Sequence, residues 1–299
     1  MMLTRRKFNQ LALLGFSGLA FAPLPESMAM FQDSSKEKQT YENNVKGIRI
    51  LPGHWRPHYP FEQIAWVSPP WPSQDYIWLD FPEAIFTSIG LIYLSHVNPP
   101  FPVVFPDLPA VPWEQTAGGI KYVRQLPNGI SFGGSVTKKA ETIIALNLFI
   151  DNGSQVALKD IKLQTCAFLR AITEFGDYNY DNKLVHVPEK GWMKFIEARD
   201  SGLQSGRFKL GWRGGPKVCD LPVMITVSNQ AQRLVAMTWF DDTNAMVSNH
   251  ERPCMHADPV FADLAPGERA EINGELIFFE GRPDDFTPWF IDHWKGQSG

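Results

Sequence analysis

The 299-residue sequence has little of what several large protein classes require. It carries 28 basic and 32 acidic residues, a net charge of −4, and so lacks the basic excess that binds nucleic-acid phosphates. It contains no phosphate-binding loop, no dinucleotide fingerprint and no Gly-x-Ser-x-Gly elbow. These gaps argue against nucleotide-dependent enzymes and serine hydrolases, and we expect no nucleic-acid partner.

Cysteine is scarce as well, with only Cys166, Cys219 and Cys254. An odd number leaves at least one thiol free or bound to a metal. Cys166 lies in an apolar strand pattern, so we expect it in the core. In an oxidising compartment Cys219 and Cys254 can form a disulfide, and the sequence does not decide between paired and free thiols.

The residues that are plentiful favour a β protein. The chain has 21 Phe, 10 Trp, 24 Pro and 23 Gly, a balance typical of many short strands joined by turns. We predict an all-β fold, an antiparallel β-sandwich of ordinary or large supersandwich type. Near the end, apolar residues recur at helical spacing from Phe286 to Trp294, which predicts a short C-terminal helix.

Turn motifs place two hairpins in this sandwich. Pro127-Asn128-Gly129 separates two apolar segments, 121–126 and 130–136, which is good hairpin chemistry. The turn at Asp151-Asn152-Gly153-Ser154 separates segments 142–150 and 161–169, and predicts a second hairpin. Three further strands are expected over 208–212, 223–227 and 234–240.

The N-terminal segment resembles a twin-arginine export signal. Arg5-Arg6 precedes an apolar run over 11–22. The alternative is a membrane anchor, but the run is about a dozen residues long and is interrupted by glycine, which is short for a span. We therefore expect a periplasmic or extracellular protein without membrane contact beyond the signal. The expected organisation is a signal at 1–29, a flexible linker at 30–47 and a single β-sandwich domain at 48–299.

The densest set of reactive side chains lies in a segment bounded by proline, which we interpret as a loop. It holds His250, Cys254, His256 and Asp258. A histidine oriented by a carboxylate is a usual arrangement for proton transfer, so His256 and Asp258 are candidate catalytic residues. His96, at the end of a predicted strand, is the third.

The acid–base assignment needs no cofactor, and none is expected. Two alternatives compete with it. His250, Cys254 and His256 could bind a divalent metal if the loop folds back on itself. The aspartates could instead hydrogen-bond the loop backbone, which would make His256 a satisfied structural residue.

Ligand-binding candidates come mainly from the aromatic- and proline-rich stretch at 50–82. Trp71 and Trp78 are expected to stack on a ligand ring. His54 and His58 flank Arg56 and are further candidates for binding the ligand. The alternative for the two histidines is an ordinary surface loop. Glu280, at the end of the strand after the candidate loop, completes the set.

Several motifs resemble a group of exported bacterial all-β proteins. They are Asn152-Gly153-Ser154, Leu163-Gln164-Thr165-Cys166, Cys254-Met255-His256-Ala257-Asp258-Pro259, Pro266-Gly267-Glu268 and Phe278-Phe279-Glu280-Gly281. The resemblance implies a β-sandwich, of the large type seen in galactose mutarotases and related carbohydrate-active proteins. The sequence carries no mutarotase catalytic-glutamate motif, so the resemblance implies a fold and no activity.

Two functions follow from these residues. In the first, the chain is a carbohydrate-active epimerase, lyase or hydrolase that uses His256, Asp258 and His96. In the second, it is a non-catalytic carbohydrate-binding or assembly module, for which a groove of tryptophans suffices. A deep pocket shared by the histidines and tryptophans would favour the enzyme, and an exposed aromatic strip would favour the module. Both have a carbohydrate or another small molecule as partner.

Overall fold

The computed structural model describes residues 45–55, 61–96, 102–176, 181–212, 215–249 and 254–297, all within one compact unit. The expected export signal, most of the expected linker, His58 and His250 lie outside these residues, so the predictions made for them remain predictions. Within the described ranges, no helix has both the length and the apolar character that a membrane span needs.

Strands form most of the regular structure in the described part of the chain. The first nine are β1 (Ile50–Gly53), β2 (Ile64–Val67), β3 (Ile77–Thr87), β4 (Gly90–Leu94), β5 (Glu114–Thr116), β6 (Gly119–Gln125), β7 (Ile130–Lys138), β8 (Ile143–Asn152) and β9 (Lys162–Phe168). The next nine are β10 (Lys183–Val187), β11 (Gly191–Lys194), β12 (Phe208–Leu210), β13 (Lys217–Cys219), β14 (Val223–Val227), β15 (Arg233–Thr238), β16 (Thr243–Val247), β17 (Met255–Pro259) and β18 (Arg269–Glu280). The α-helices are α1 (Phe195–Asp200) and α2 (Pro283–Lys295).

These strands form two nine-stranded sheets. The first sheet has the order β1-β2-β3-β9-β17-β16-β12-β13, with β4 also paired to β3. The second sheet has the order β11-β10-β14-β15-β18-β8-β7-β6-β5. Among the named strands only β12 and β16 pair in parallel. The predicted antiparallel β-sandwich with a short C-terminal helix is therefore confirmed.

The core lies between the two sheets, and α2 covers a further face. Phe81 of β3 stacks on Trp239, which follows β15, with ring centroids 6.0 Å apart. On its outer side the second sheet packs against Phe286 and Phe290 of α2, both fully buried. Burying each of these rings contributes roughly 2–3 kcal/mol. The outer face of the first sheet carries a cavity instead.

One of the two predicted hairpins is confirmed and the other is wrong. The strands β6 and β7 pair through a turn in which Gly129 has a φ of 92°, a value that favours glycine. By contrast, β8 lies in the second sheet between β7 and β18, and β9 lies in the first sheet between β3 and β17. Both edges of β8 are already paired, so the chain after Asn152 crosses to the other sheet.

The predicted loop around His256 is also wrong, because Met255–Pro259 is the strand β17. It lies in the middle of the first sheet between β9 and β16. Side chains alternate between the faces of a strand, and Met255 and Ala257 enter the core between the sheets. The polar residues His256 and Asp258 therefore share the outer face with Cys254.

Candidate functional site

A cavity of about 830 Å³ lies on the outer face of the first sheet. Its wall combines apolar and polar side chains, as small-molecule sites usually do. Among the described residues, the apolar part of the wall is Phe86, Leu91, Leu94, Leu163, Trp212, Ala245 and Val247. The polar part is Glu83, His96, Lys162, Gln164, Lys209, Asn244, Asn249 and Asp258.

A carboxylate and an imidazole meet in this wall. The pairing of β3 with β9 shifts register between Asp80 and Ala84, and Glu83 lies within this irregularity. His96 follows the end of β4, and its Nδ1 lies 3.7 Å from Glu83 Oε1. Ser95 Oγ lies 3.3 Å from the same nitrogen and donates a hydrogen bond to Asp80 at 2.7 Å. Ser95 and Asp80 therefore help to position the Glu83–His96 pair, and a molecule bound in the cavity can contact the pair.

A second polar chain lies along β17, one layer deeper. His256 Nε2 is 2.9 Å from Cys254 Sγ, and His256 Nδ1 is 3.2 Å from Asp258 Oδ1. The backbone N–H of Thr165 donates to the same aspartate oxygen at 2.9 Å. Residues two apart on a strand point to the same face, which is why Cys254, His256 and Asp258 form a continuous line.

His256 connects the two layers. Only 1% of the residue is exposed, and it does not line the cavity. Its Nε2 lies 3.8 Å from Glu83 Oε2. The Trp212 ring stands edge-on to its imidazole with centroids 5.2 Å apart. The imidazole is thus enclosed by groups that themselves face the cavity.

Burial and mutual contact shift the pKa values of this cluster. Burial raises the pKa of Glu83 to about 8, although His256 opposes the shift. The hydrogen bond with Cys166 lowers the pKa of the Cys254 thiol well below its ordinary value, and His256 strengthens that effect. Burial opposes ionisation of His256, but Cys254 and Asp258 together raise its pKa well above the ordinary value. Each of Cys254 and His256 therefore favours the charged form of the other.

Cys166 is buried, as expected of a core residue, and it belongs to this cluster on the outer face of the first sheet. It pairs with His256 across β9 and β17, so both point outward. Cys166 packs in a small apolar group with Cys254, Phe168, Trp55 and Trp78. The sequence left the pairing of Cys219 and Cys254 open; in the structure both thiols are free, and Cys219 is buried in the core between the sheets.

The structure brings together three of the predicted catalytic residues. His96 and Asp258 line the cavity, and His256 lies directly behind it. The predicted metal group remains a prediction, since His250 lies outside the described residues. Among the described residues, Cys166, Cys254 and His256 offer ligand atoms within 4.8 Å of one another.

Four of the five predicted ligand-binding residues lie elsewhere, and the fifth, His58, is outside the described residues. Trp71 is buried in the core, where its Nε1 donates to Glu174 at 2.9 Å. Trp78 packs beside the cysteines, and His54 Nδ1 lies 2.8 Å from Glu62. Glu280 is an exposed residue at the end of β18, in the other sheet. None of Trp71, Trp78, His54 and Glu280 is among the described residues that line the cavity.

Sequence reasoning missed Glu83, Cys166 and Trp212. The available signal for Glu83 was its charge within the mainly apolar segment of β3, which also holds the buried Asp80. A buried carboxylate in a strand needs a partner or a function. Trp212 was assigned to a strand, and it follows β12 with 41% of its surface exposed.

Comparison with known proteins gives weak likenesses only. No protein-family model and no curated protein sequence matches the chain. Among solved structures, a galactose mutarotase related enzyme from Lactobacillus acidophilus has a TM-score of 0.44 at 8% identity, and the alignment covers 79% of this chain and 98% of that one. A GalM/aldose epimerase homologue from C. elegans has a TM-score of 0.39 at 8% identity, covering 79% of this chain and 100% of that one. Ligand and reaction must therefore be argued from the cavity itself.

Proposed function

We propose that the chain binds a sugar derivative in the cavity of the first sheet and transfers protons to and from it with Glu83 and His96. One observation carries the proposal: a carboxyl and an imidazole lie 3.7 Å apart in the wall of a cavity of about 830 Å³. Groups at this distance can act on neighbouring atoms of one bound molecule, one as acid and the other as base. In this arrangement Asp258 adds a second carboxyl group to the same wall.

The wall favours a sugar because a sugar ring has apolar C–H faces and a rim of hydroxyls. The exposed Trp212 offers an aromatic surface for the ring face. Gln164, Asn244 and Asn249 offer amides that both donate and accept hydrogen bonds, as hydroxyls require. Lys162 and Lys209 add donors at the same wall, which suits an oxidised or otherwise acidic substituent.

The pair supports isomerase or lyase chemistry better than hydrolysis. Most glycoside hydrolases hold two carboxyl groups about 5–10 Å apart on either side of the scissile bond. Here a carboxyl and an imidazole are in contact and lie on the same wall. One group can remove a proton from a hydroxyl or an activated C–H, while the other protonates the neighbouring oxygen. Epimerisation at the anomeric carbon and elimination across a glycosidic bond both need this step.

The test combines turnover with binding. The purified chain is incubated with aldoses and with oligosaccharides that contain uronic acids. Anomer exchange is followed by proton NMR, and elimination by the ultraviolet absorbance of the unsaturated product. Glu83→Gln and His96→Gln should each lower turnover by about 10²–10⁴-fold with little change in sugar affinity. Trp212→Ala should weaken binding itself, and Glu280→Gln in the other sheet serves as the control.

Two outcomes would contradict the proposal. If sugars bind but no substrate is turned over, the chain is a binding module, and loss of affinity in Trp212→Ala would support that function. If Glu83→Gln retains full turnover, the acid–base pair is assigned to the wrong residues. Calorimetric titration with the same sugars separates these results.

A further inference from the structure

We propose that Cys166, Cys254 and His256 bind a zinc ion, with the fourth coordination position facing Glu83. The two sulfurs and one imidazole nitrogen all lie within 4.8 Å of one another. In tetrahedral zinc sites, Zn–S and Zn–N bonds of about 2.3 and 2.0 Å put such donors about 3.5–3.8 Å apart. The donors therefore converge to within about an ångström of the geometry that the ion requires.

The surroundings of His256 favour the tautomer that a metal ligand needs. Its Nδ1 lies 3.2 Å from Asp258 Oδ1, and this carboxylate is itself fixed by the Thr165 N–H at 2.9 Å. A histidine that donates its Nδ1–H to a carboxylate presents the lone pair of Nε2 to a metal. Here Nε2 points towards Cys254, 2.9 Å away. A buried carboxylate that orients the ring is the usual support of a histidine bound to zinc.

The pair of thiols favours a metal over a nucleophilic cysteine. A nucleophile must reach its substrate, but Cys166 and Cys254 are 4% and 5% exposed and neither lines the cavity. A nucleophilic mechanism would also use one of the two thiols and would not explain why the second lies beside it. Phe168, Trp55 and Trp78 pack in one apolar cluster with the two cysteines. An apolar surrounding of this kind strengthens thiolate–metal bonds by keeping water away.

The same two thiols are poorly placed for a disulfide. Met255 pairs with Ala167 and His256 pairs with Cys166, so Cys254 is a diagonal neighbour of Cys166 across the strands. Diagonal neighbours have α-carbons about 7–8 Å apart, whereas disulfides need about 4.4–6.8 Å. The two sulfurs lie near each other, but the α-carbons of Cys166 and Cys254 are too far apart for a disulfide bond.

The fourth position opens towards the cavity. Glu83 Oε2 lies 3.8 Å from His256 Nε2 and belongs to the cavity wall. Two cysteines, one histidine and an open position make a donor set found in catalytic zinc sites. Two thiolates also favour zinc over magnesium or calcium, which take oxygen ligands. The metal would sit behind the acid–base pair, in contact with it through Glu83.

Metal binding can be measured without any sugar, so the result is independent of the proposed enzyme activity. The full chain is purified with reductant, treated with a chelator, dialysed and titrated with zinc or cobalt(II). We expect about one equivalent of either metal, with the intense absorption of thiolate-to-cobalt charge transfer. Bound metal is counted by mass spectrometry of the desalted protein.

Variants assign the ligands. Cys166→Ser and Cys254→Ser should each lose the charge-transfer band in part and bind zinc at least ten-fold more weakly. Asp258→Asn should keep the band and lose about 10–100-fold in affinity, because it only positions the histidine. Cys219→Ser is the matched control, since Cys219 is buried in the core between the sheets, and should bind zinc normally.

The unmodified chain decides the matter even if the cysteine variants fail to fold. Absence of the cobalt charge-transfer band in the reduced, folded chain would overturn the proposal. So would unchanged zinc affinity in folded Cys166→Ser or Cys254→Ser. A stoichiometric Cys166–Cys254 disulfide that reforms in air despite added zinc would do the same, since it would show that the thiols prefer each other.

Discussion

Cys166 and His256 occupy directly paired positions on the antiparallel strands β9 and β17. The pairing places a thiol beside a histidine whose imidazole already touches Cys254, Asp258 and Glu83. His256 is therefore the central member of a buried polar cluster and contributes to folding as well as to any reaction. Its removal would leave several buried ionisable groups without their partner.

We predict that His256→Ala lowers the free energy of unfolding of the metal-free protein by about 3–5 kcal/mol. This is the opposite of what a histidine in a mobile loop would show. Urea unfolding in the presence of a chelator measures the change. Lys159→Ala is the control, because that residue is exposed, and should change stability by less than about 0.5 kcal/mol. Equal stabilities of the two variants would show that the cluster contributes nothing to folding.

Glu174 holds a second buried network together. Its carboxylate accepts two hydrogen bonds from the Arg233 guanidinium, at 2.6 and 2.8 Å, and others from Trp71 and Ser228. The guanidinium also lies over the Trp71 ring, 4.4 Å from its centroid. We predict that Glu174→Gln costs about 3 kcal/mol, because an amide N–H would then face the arginine donors.

The control for that variant is Glu197→Gln on the exposed side of α1, which should be nearly neutral. Both variants are compared by urea unfolding and by near-ultraviolet circular dichroism, since Trp71 contributes to the latter. A loss in Glu174→Gln below about 1 kcal/mol would mean that the arginine finds water or another acceptor at no cost.

Local sequence patterns predicted much of the fold. The candidate site depends on pairing between strands that are distant in sequence, which local patterns do not predict. The apolar run of β14 and the helical spacing of α2 depend on neighbours in sequence, so both were predictable. An apolar strand pattern predicted that Cys166 is buried, but it does not say which face of the strand meets the other sheet. The cluster around His256 forms only when β3, β9 and β17 come together, and no local motif encodes that contact.

The choice of tryptophans shows the same limit. Trp71 and Trp78 come from the stretch richest in aromatic residues, yet one packs in the core and the other beside the cysteines. Trp212 stands alone in sequence and reaches the cavity because β12 pairs with β16. A stretch of sequence rich in tryptophan therefore does not indicate that its tryptophans line the same surface of the folded protein.

A third prediction concerns alkaline pH. Cys219 is fully buried at the end of β13, and burial raises the pKa of its thiol far above the ordinary value of 9.0. Above pH 9 the unfolded chain loses this proton and the folded chain keeps it, so unfolding becomes easier as pH rises. Below pH 9 both states keep the proton, and this thiol adds no pH dependence.

We predict that, between about pH 9 and pH 10.5, the free energy of unfolding of the wild-type protein falls more steeply than that of Cys219→Ala. The difference in slope should approach about 1.4 kcal/mol per pH unit, the value for one proton. The neighbouring Val218→Ala is the matched control: it removes buried apolar atoms from the same strand but should keep the wild-type slope. Urea unfolding at several pH values, with reductant and chelator present, gives all three slopes. Parallel lines for wild type and Cys219→Ala would show that the folded protein lets this thiol ionise, through local opening or water entry at β13.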